Sequence, residues 1–101
     1  MPALASSRAI RTAFYGIAHS HFPGKLRTIQ EMDEFQLVGI CEPNQLVLDK
    51  HPTLSAVPFL TEPELLNSKE IDLIVVESDV PDLLRYAHRS VEVGKWVHMD
   101  K

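Results

Sequence analysis

The chain has 101 residues, of which 45% are hydrophobic and 24% are charged, and its formal net charge is −4 at pH 7. This length allows one small domain with its own core, and the composition is that of a globular protein rather than a disordered one. A negative chain without a basic run does not suit a nucleic-acid groove. No apolar stretch approaches the about 20 residues that span a membrane.

The single cysteine, Cys41, lies inside an apolar strand pattern and has no second cysteine to pair with. We therefore expect a reducing, cytoplasmic location, and a place in the core for this thiol rather than a nucleophilic role. Residues 1–10 contain too short an apolar patch for a secretory signal and are expected to form a flexible leader. Residues 11–101 are expected to form one domain.

The first half of this domain predicts a strand, a turn, a helix and a strand. The apolar run at residues 11–16 does not alternate with polar residues, which indicates a strand buried on both faces of a parallel sheet. Apolar residues then recur at helical spacing from Phe22, and this helix is expected to end near Met32. The run Phe35–Cys41 predicts the second strand.

The middle of the chain predicts smaller elements. A short helix is expected near residues 46–50, and residues 57–60 form at best a short edge strand. Thr61 and Glu64 have the spacing of a capping box, which predicts the start of another small helix.

The last third predicts a strand, a helix and a strand. Residues 71–76 are the clearest buried strand, Asp79 can cap the helix that follows, and Gly94 supplies its left-handed C-terminal residue. Trp96–Met99 predicts the last strand. The apolar stripe of the helix is expected to comprise Leu83, Leu84, Ala87 and Val91.

Strands that alternate with helices predict a parallel α/β fold, here a partial doubly wound sheet of the Rossmann type in three αβα layers. The ligand crevice is then expected at the C-terminal ends of the first two strands and of the strand at residues 71–76. The last strand would leave an open sheet edge, so we expect a homo-oligomer or poor solubility.

The first strand ends on Gly16, a helix follows, and Glu42 closes the second strand. This order is that of a dinucleotide-binding βαβ unit, in which N–H groups at the helix start bind the pyrophosphate and the acid binds a ribose. The glycine signature is incomplete, because Ala18 and His21 occupy the second and third glycine positions of the G-x-G-x-x-G frame.

Five local strings extend this pattern: GIAHSH at 16–21, LVGICE at 37–42, TEPELL at 61–66, IDLIVV at 71–76 and VGKWVHMDK at 93–101. Together they resemble the N-terminal part of the Gfo/Idh/MocA oxidoreductases, the glucose–fructose oxidoreductase and inositol dehydrogenase group. The last two strings are the most specific, since they resemble the family's "iDaV" strand and its "aGKhV…EKP" segment at the right separation. The resemblance covers residues 11–101.

The resemblance implies the cofactor-binding portion of an NAD(P)-dependent oxidoreductase that transfers hydride between a nicotinamide and a sugar- or polyol-like secondary alcohol. Lys101 is implied as the catalytic residue that polarises the reacting oxygen. Because an acid at Glu42 would repel the 2′-phosphate of NADP, we expect NAD to be preferred. The implied cofactor-binding residues are Gly16, Ala18, His19, Ser20, His21, Glu42, Glu77, Ser78 and Lys101.

The chain also departs from the family pattern. Ser78-Asp79-Val80 stands where the family commonly has Thr-Pro-Asn, and Leu83 stands where it has histidine. Glu77 replaces a small residue and adds a negative charge near the expected pyrophosphate, which would weaken its binding. Asp100 replaces the glutamate before the lysine. The family's catalytic histidine and aspartate lie in a substrate domain beyond this segment, so the 101-residue chain alone is expected to be inactive.

Two other functions fit parts of the pattern. One is a standalone nucleotide-binding or interaction domain without catalysis. The other is a fragment of a metal-dependent hydrolase, because His19 and His21 are spaced like zinc ligands at a strand end. A hydrolase barrel needs about 250 residues, and the sequence offers no further ligand cluster, so we expect no metal site. The other histidines are expected to be surface or half-buried structural residues: His51, His88 and His98.

Overall fold

The computed structural model describes residues 9–99 of the chain. Its strands are β1 (Ile10–Tyr15), β2 (Phe35–Cys41), β3 (Leu73–Val76) and β4 (Trp96–Met99). Its α-helices are α1 (Phe22–Glu31), α2 (Gln45–Leu48), α3 (Glu62–Asn67) and α4 (Val80–Glu92), and a 3₁₀ turn covers Pro52–Ala56. Residues 1–8 of the predicted leader lie outside the described residues, and β1 already begins at Ile10.

The four strands form one parallel sheet in the order β2-β1-β3-β4. Tyr15 at the end of β1 is in register with Cys41 at the end of β2, so these two strands finish at the same level. The predicted doubly wound α/β fold is therefore confirmed. Within the described residues, β4 is an edge strand and the side chain of Trp96 is 79% exposed. An exposed edge is a template for association, and a homo-oligomer stays a prediction.

Both faces of β1 are buried, which explains why its sequence does not alternate. Phe14 points to the face covered by α1, where it packs with Phe22. The two rings are edge to face, with their centroids 5.0 Å apart. Ala13 and Tyr15 point to the opposite face, in the core cluster that includes residues of α3 and α4. The sheet is thus the middle layer of three, as predicted.

Strand β3 is shorter than the sequence predicts, since it begins at Leu73 rather than at residue 71. The cause is the side chain of Asp72. Its Oδ2 accepts the backbone N–H of Arg11 at 3.0 Å, and its carboxylate also receives two bonds from the Arg11 guanidinium. A carboxylate therefore occupies the N–H that would otherwise extend the strand pairing at this end of the sheet.

Helix α4 buries a different stripe from the predicted one. Leu83 and Ala87 are buried as expected, but Leu84 is 72% exposed and Val91 is 59% exposed. The helix is rotated because Tyr86 stacks on Tyr15, with ring centroids 4.1 Å apart and an interplanar angle of 6°. The buried stripe is Leu83, Tyr86, Ala87 and Ser90.

The predicted caps are mostly confirmed. Thr61 and Glu64 form the reciprocal capping box of α3. At the end of α4, Gly94 has a φ of +82°, and the N–H groups of Gly94 and Lys95 donate to Val91 and Ser90, which is a Schellman motif. Asp79 occupies the N-cap position of α4, but its side chain makes no capping hydrogen bond.

The segment between β2 and α3 has little regular structure. The predicted edge strand at residues 57–60 is reduced to a single parallel bridge between Ile40 and Phe59. The predicted short helix is present as α2 and is followed by the 3₁₀ turn. In residues 9–99 no helix has the length and apolarity needed to cross a membrane.

Two glycines in left-handed conformations end elements of the fold, and they differ in their surroundings. Gly16 follows β1 with a φ of +85°, and a Cβ there would lie 2.6 Å from Cβ of Ser78. Gly94 has nearly the same φ, but a Cβ there would meet nothing within 4 Å. Alanine substitutions at Gly16 and Gly94 therefore separate the cost of backbone strain from the cost of steric overlap.

We expect Gly94→Ala to destabilise the fold by about 1 kcal/mol, since a left-handed alanine is strained but has room. Gly16→Ala should cost about 3 kcal/mol or more, because the same strain is joined by overlap with Ser78. Chemical denaturation of both variants measures the difference. Equal losses in the two variants would show that the contact between Gly16 and Ser78 does not matter.

Cys41 is 1% exposed, as its predicted core position requires. Burial, together with the carboxylates of Glu62 and Glu42, raises the pKa of this thiol from 9.0 to about 12. At pH 8 the folded protein should therefore hold about 1000-fold less thiolate than the unfolded chain. A thiol reagent should label Cys41 at the rate of unfolding, and fast labelling in native buffer would contradict this.

Candidate functional site

The C-terminal ends of β1, β2 and β3 meet at one edge of the sheet, where the chain carries Gly16, Glu42 and Glu77. The strand β1 has β2 on one side and β3 on the other, while α1 covers one face of the sheet and α4 the other. The strand order therefore reverses at β1. In open α/β sheets this topological switch point is where ligands bind.

Gly16 joins all three strand ends. Its N–H donates to the carbonyl of Cys41 at 2.8 Å, and its own carbonyl accepts the N–H of Glu77 at 3.3 Å. Ser78 and Tyr86 lie so close that no side chain fits at this position. The glycine that the sequence marks as the start of the site is thus required by both backbone conformation and space.

After Gly16 the turn is held by two acids. The N–H of Ile17 donates to Oε1 of Glu42 at 2.8 Å, and the N–H of His19 donates to the carbonyl of Glu77 at 2.7 Å. Within the described residues, the N–H groups of Ala18 and Ser20 make no hydrogen bond. These two donors are therefore available to a ligand at the start of α1.

The side chain of Glu42 is half-buried and lies between β2 and the turn. Besides the bond from Ile17, its Oε2 accepts the N–H of Asn44 at 2.9 Å. Both oxygens of the carboxylate thus hold backbone N–H groups. A carboxylate oxygen can accept more than one hydrogen bond, so the group still has acceptor capacity toward the crevice.

The side chain of Glu77 is fully buried, beneath the turn. Nζ of Lys25 lies 2.8 Å from its Oε2, at ion-pair distance, although neither carboxylate oxygen has a well-directed hydrogen bond among the described residues. Nδ1 of His19 is 3.8 Å from Oε1. That nitrogen accepts the N–H of His21, and among the described residues Lys25 is the cation at hydrogen-bonding distance from this carboxylate.

Lys25 is absent from the residues predicted for the site, whereas His98 is exposed, in agreement with its predicted surface position. Nε2 of His98 lies 2.7 Å from Nζ of Lys25, so the lysine connects α1 with the ends of β3 and β4. A signal was present in the sequence. An acid that ends a buried strand needs a cation nearby, and Lys25 is one of the few basic residues close to the turn.

The remaining predicted residues are placed as follows. Ser78 is 3% exposed, and its Cα and Cβ pack against Gly16. The rings of His19 and His21 pack edge to face, with their centroids 4.6 Å apart. No group of three or more His, Cys, Asp or Glu side chains in the described part of the chain is arranged to hold a metal ion. Asp100 and Lys101, the predicted catalytic residue, lie outside the described residues.

Of the other histidines, His51 packs its ring edge to face against Phe22 at 5.4 Å, and His88 is exposed on α4 near Glu92. Both positions agree with the structural roles expected for them. His98 is exposed, and its contact with Lys25 ties it to the charged group below the turn.

No protein-family model and no curated protein sequence matches the chain. Solved structures do match it. A candidate oxidoreductase from Erwinia carotovora atroseptica is 28% identical, with a TM-score of 0.75, over 87% of this chain and 27% of its own. The WlbA dehydrogenase from Bordetella pertussis, solved with NADH and UDP-GlcNAcA, is 21% identical with a TM-score of 0.71, over 89% of this chain and 28% of its own.

A third neighbour is the biliverdin reductase from Synechocystis, solved with biliverdin and NADP⁺. It is 19% identical with a TM-score of 0.72, over 87% of this chain and 28% of its own. The chain therefore spans a little over a quarter of the length of these neighbours. Across most of its own length, its structural neighbours are oxidoreductases of the Gfo/Idh/MocA type, and the resemblance found in the sequence is confirmed.

Proposed function

We propose that the chain is the dinucleotide-binding portion of a nicotinamide-dependent oxidoreductase, and that it prefers NAD to NADP. One observation carries the proposal. At the switch point of the sheet, the turn after Gly16 is tied by its Ile17 N–H to the acid that ends β2, Glu42. The fold alone would not be enough, because the same architecture supports unrelated functions.

The pyrophosphate would lie over the turn and the start of α1. The N–H groups of Ala18 and Ser20 are the donors that the described residues leave unused there. The positive end of the helix dipole adds to their attraction for an anion. His19 and His21 flank these donors, and Gly16 lets the backbone approach a ligand closely.

The adenosine ribose would bind at Glu42. Its carboxylate already holds the turn, and its remaining lone pairs suit the 2′- and 3′-hydroxyl groups of a ribose. A 2′-phosphate at the same place would bring like charges together. Neighbouring structures contain NADH in one case and NADP⁺ in another, so the preference for NAD rests on this residue.

Glu77 and Ser78 would shape the site from below rather than face the cofactor with charge. The backbone of Glu77 anchors His19 and Gly16, and Ser78 provides the surface under Gly16. The expectation that the charge of Glu77 repels the pyrophosphate does not take account of Lys25, which lies 2.8 Å from that carboxylate.

We further propose that the substrate is a secondary alcohol on a sugar- or polyol-like molecule. The nicotinamide, when bound, would accept the hydride from the alcohol carbon, while the hydroxyl proton leaves to a base and a ketone forms. Lys101 would lie beside the reacting oxygen and stabilise its developing negative charge. The nucleotide sugar in the WlbA structure supports this class, whereas biliverdin in another neighbour shows that the fold also serves other substrates.

We expect NADH to bind at least about tenfold more tightly than NADPH, because only the 2′-phosphate meets the charge of Glu42. Fluorescence titration of each nucleotide into the protein measures both dissociation constants. Glu42→Gln should reduce the preference. Glu34→Gln is the matched control, since it removes one exposed carboxylate just before the N-terminal end of β2, at the opposite end of the sheet from the crevice. Tighter binding of NADPH by the unaltered protein would contradict the assignment.

We also expect the 101-residue chain to bind NAD without oxidising polyols. The acid–base groups that the resemblance implies, apart from Lys101, lie in a substrate domain that these residues do not include. An absorbance assay at 340 nm with a panel of polyols tests this. Measurable NADH production would show that the chain is catalytically complete, and binding without turnover is also what a non-catalytic nucleotide-binding domain would give.

A further inference from the structure

We propose that Lys25 is a positioning residue of the dinucleotide site: its ammonium group neutralises the buried carboxylate of Glu77, and this neutralisation lets the turn above accept a pyrophosphate. This inference rests on the proposed function and adds to it a residue that the glycine turn and the ribose-binding acid do not include. The partner it concerns is the anionic centre of the dinucleotide.

The geometry of the pair is unusual. Glu77 is fully buried, and its Oε2 lies 2.8 Å from Nζ of Lys25, whose side chain is 27% exposed. On its other side the ammonium group lies 2.7 Å from Nε2 of His98. An ammonium group has only donors, so this nitrogen of His98 acts as the acceptor. The lysine is thus held from both β3 and β4.

The pair lies immediately below the proposed anion site. The backbone carbonyl of Glu77 accepts the N–H of His19, and its N–H donates to Gly16, so the residue that carries the charge also fixes both ends of the turn. Lys25 belongs to α1, the helix whose N-terminus the pyrophosphate would face. Because Nδ1 of His19 in the turn lies 3.8 Å from Oε1 of Glu77, a change in charge at this pair acts on the turn over a short distance.

The proposal predicts the direction in which each change of charge alters the affinity for the nucleotide. A buried carboxylate without its cation would repel an anion bound at the turn, and in a weakly screening interior this repulsion is larger than in water. The ammonium group of Lys25 offsets this negative charge. Removing the carboxylate of Glu77 makes the net charge beneath the turn one unit more positive, which strengthens the attraction for an anion. The two single variants are therefore expected to change nucleotide affinity in opposite directions.

The experiment compares Lys25→Met, Glu77→Gln and the double variant in the full 101-residue chain, with NADH titration and thermal unfolding for each. Each single variant removes one member of the Lys25–Glu77 ion pair, so neither should be more stable than the unaltered protein, and Lys25→Met should lower the Tm by about 5 °C or more. Lys25→Met should weaken NADH binding about tenfold, Glu77→Gln should tighten it several-fold, and the double variant should return near the starting value.

Lys69→Met is the control, because it removes the same charge from an exposed residue near the N-terminal end of β3. It should change neither affinity nor Tm. If the pair served only to stabilise the fold, both single variants would weaken NADH binding together, and this result would overturn the proposal. If Lys25→Met does not fold, the affinities of the double variant and of Glu77→Gln for NADH are compared instead, because these two proteins also differ only at Lys25. The double variant should then bind NADH more weakly than Glu77→Gln.

The failure of this inference differs from the failure of the proposed function. If the unaltered protein binds neither NADH nor NADPH, the dinucleotide assignment is wrong, and the proposal for Lys25 falls with it. If NADH binds and the two single variants change its affinity in the same direction, only the role of Lys25 is wrong.

Discussion

At Gly16 the chain leaves the central strand within contact distance of Ser78, which follows the end of β3, and it does so with a backbone conformation that other residues rarely adopt. The N–H of Gly16 donates to the carbonyl of Cys41, and its carbonyl accepts the N–H of Glu77. Gly16 therefore links the ends of β1, β2 and β3 by backbone hydrogen bonds. A methyl group at this position would push these strand ends apart. The crevice, the direction of the turn and the start of α1 all follow from that close approach.

The charges of the crevice are arranged around this turn. Glu42 lies at the outer side, half-buried, and holds N–H groups of the turn and of the segment after β2. Glu77 lies underneath, fully buried and compensated by Lys25. The carboxylate of Glu42 therefore lies at the open side of the crevice, while that of Glu77 is buried beside a cation. Of the three positions of the glycine signature, the structure leaves no room for a side chain at Gly16, while Ala18 and His21 occupy the other two.

Much of this fold could be predicted from local sequence, because local chemistry determines it. The bounds of β2, the capping box at Thr61 and the left-handed Gly94 each depend on residues close together in the chain. The errors arose where distant residues meet. Asp72 shortens β3 by binding Arg11, and Tyr86 rotates α4 by stacking on Tyr15.

The candidate site shows the same division. Gly16 and Glu42 could be found from their order and spacing within one βαβ unit. Lys25 could not be assigned in the same way, since its partner Glu77 belongs to a different βα segment and the pairing exists only once the sheet has formed. Sequence patterns identify residues that act on a ligand through a common motif. A charge that is compensated across two strands and a helix has no such motif.

The most direct test of the proposed nucleotide site is an NMR titration of the ¹⁵N-labelled chain with NADH, followed through backbone amide shifts. We expect the largest changes at Ala18 and Ser20, whose N–H groups are unused within the described residues, with further changes at Ile17 and Asn44 as Glu42 adjusts to the ribose. If the amides that shift lie elsewhere, for example along the exposed face of α4 or at β4, the crevice around Gly16 is not the nucleotide site.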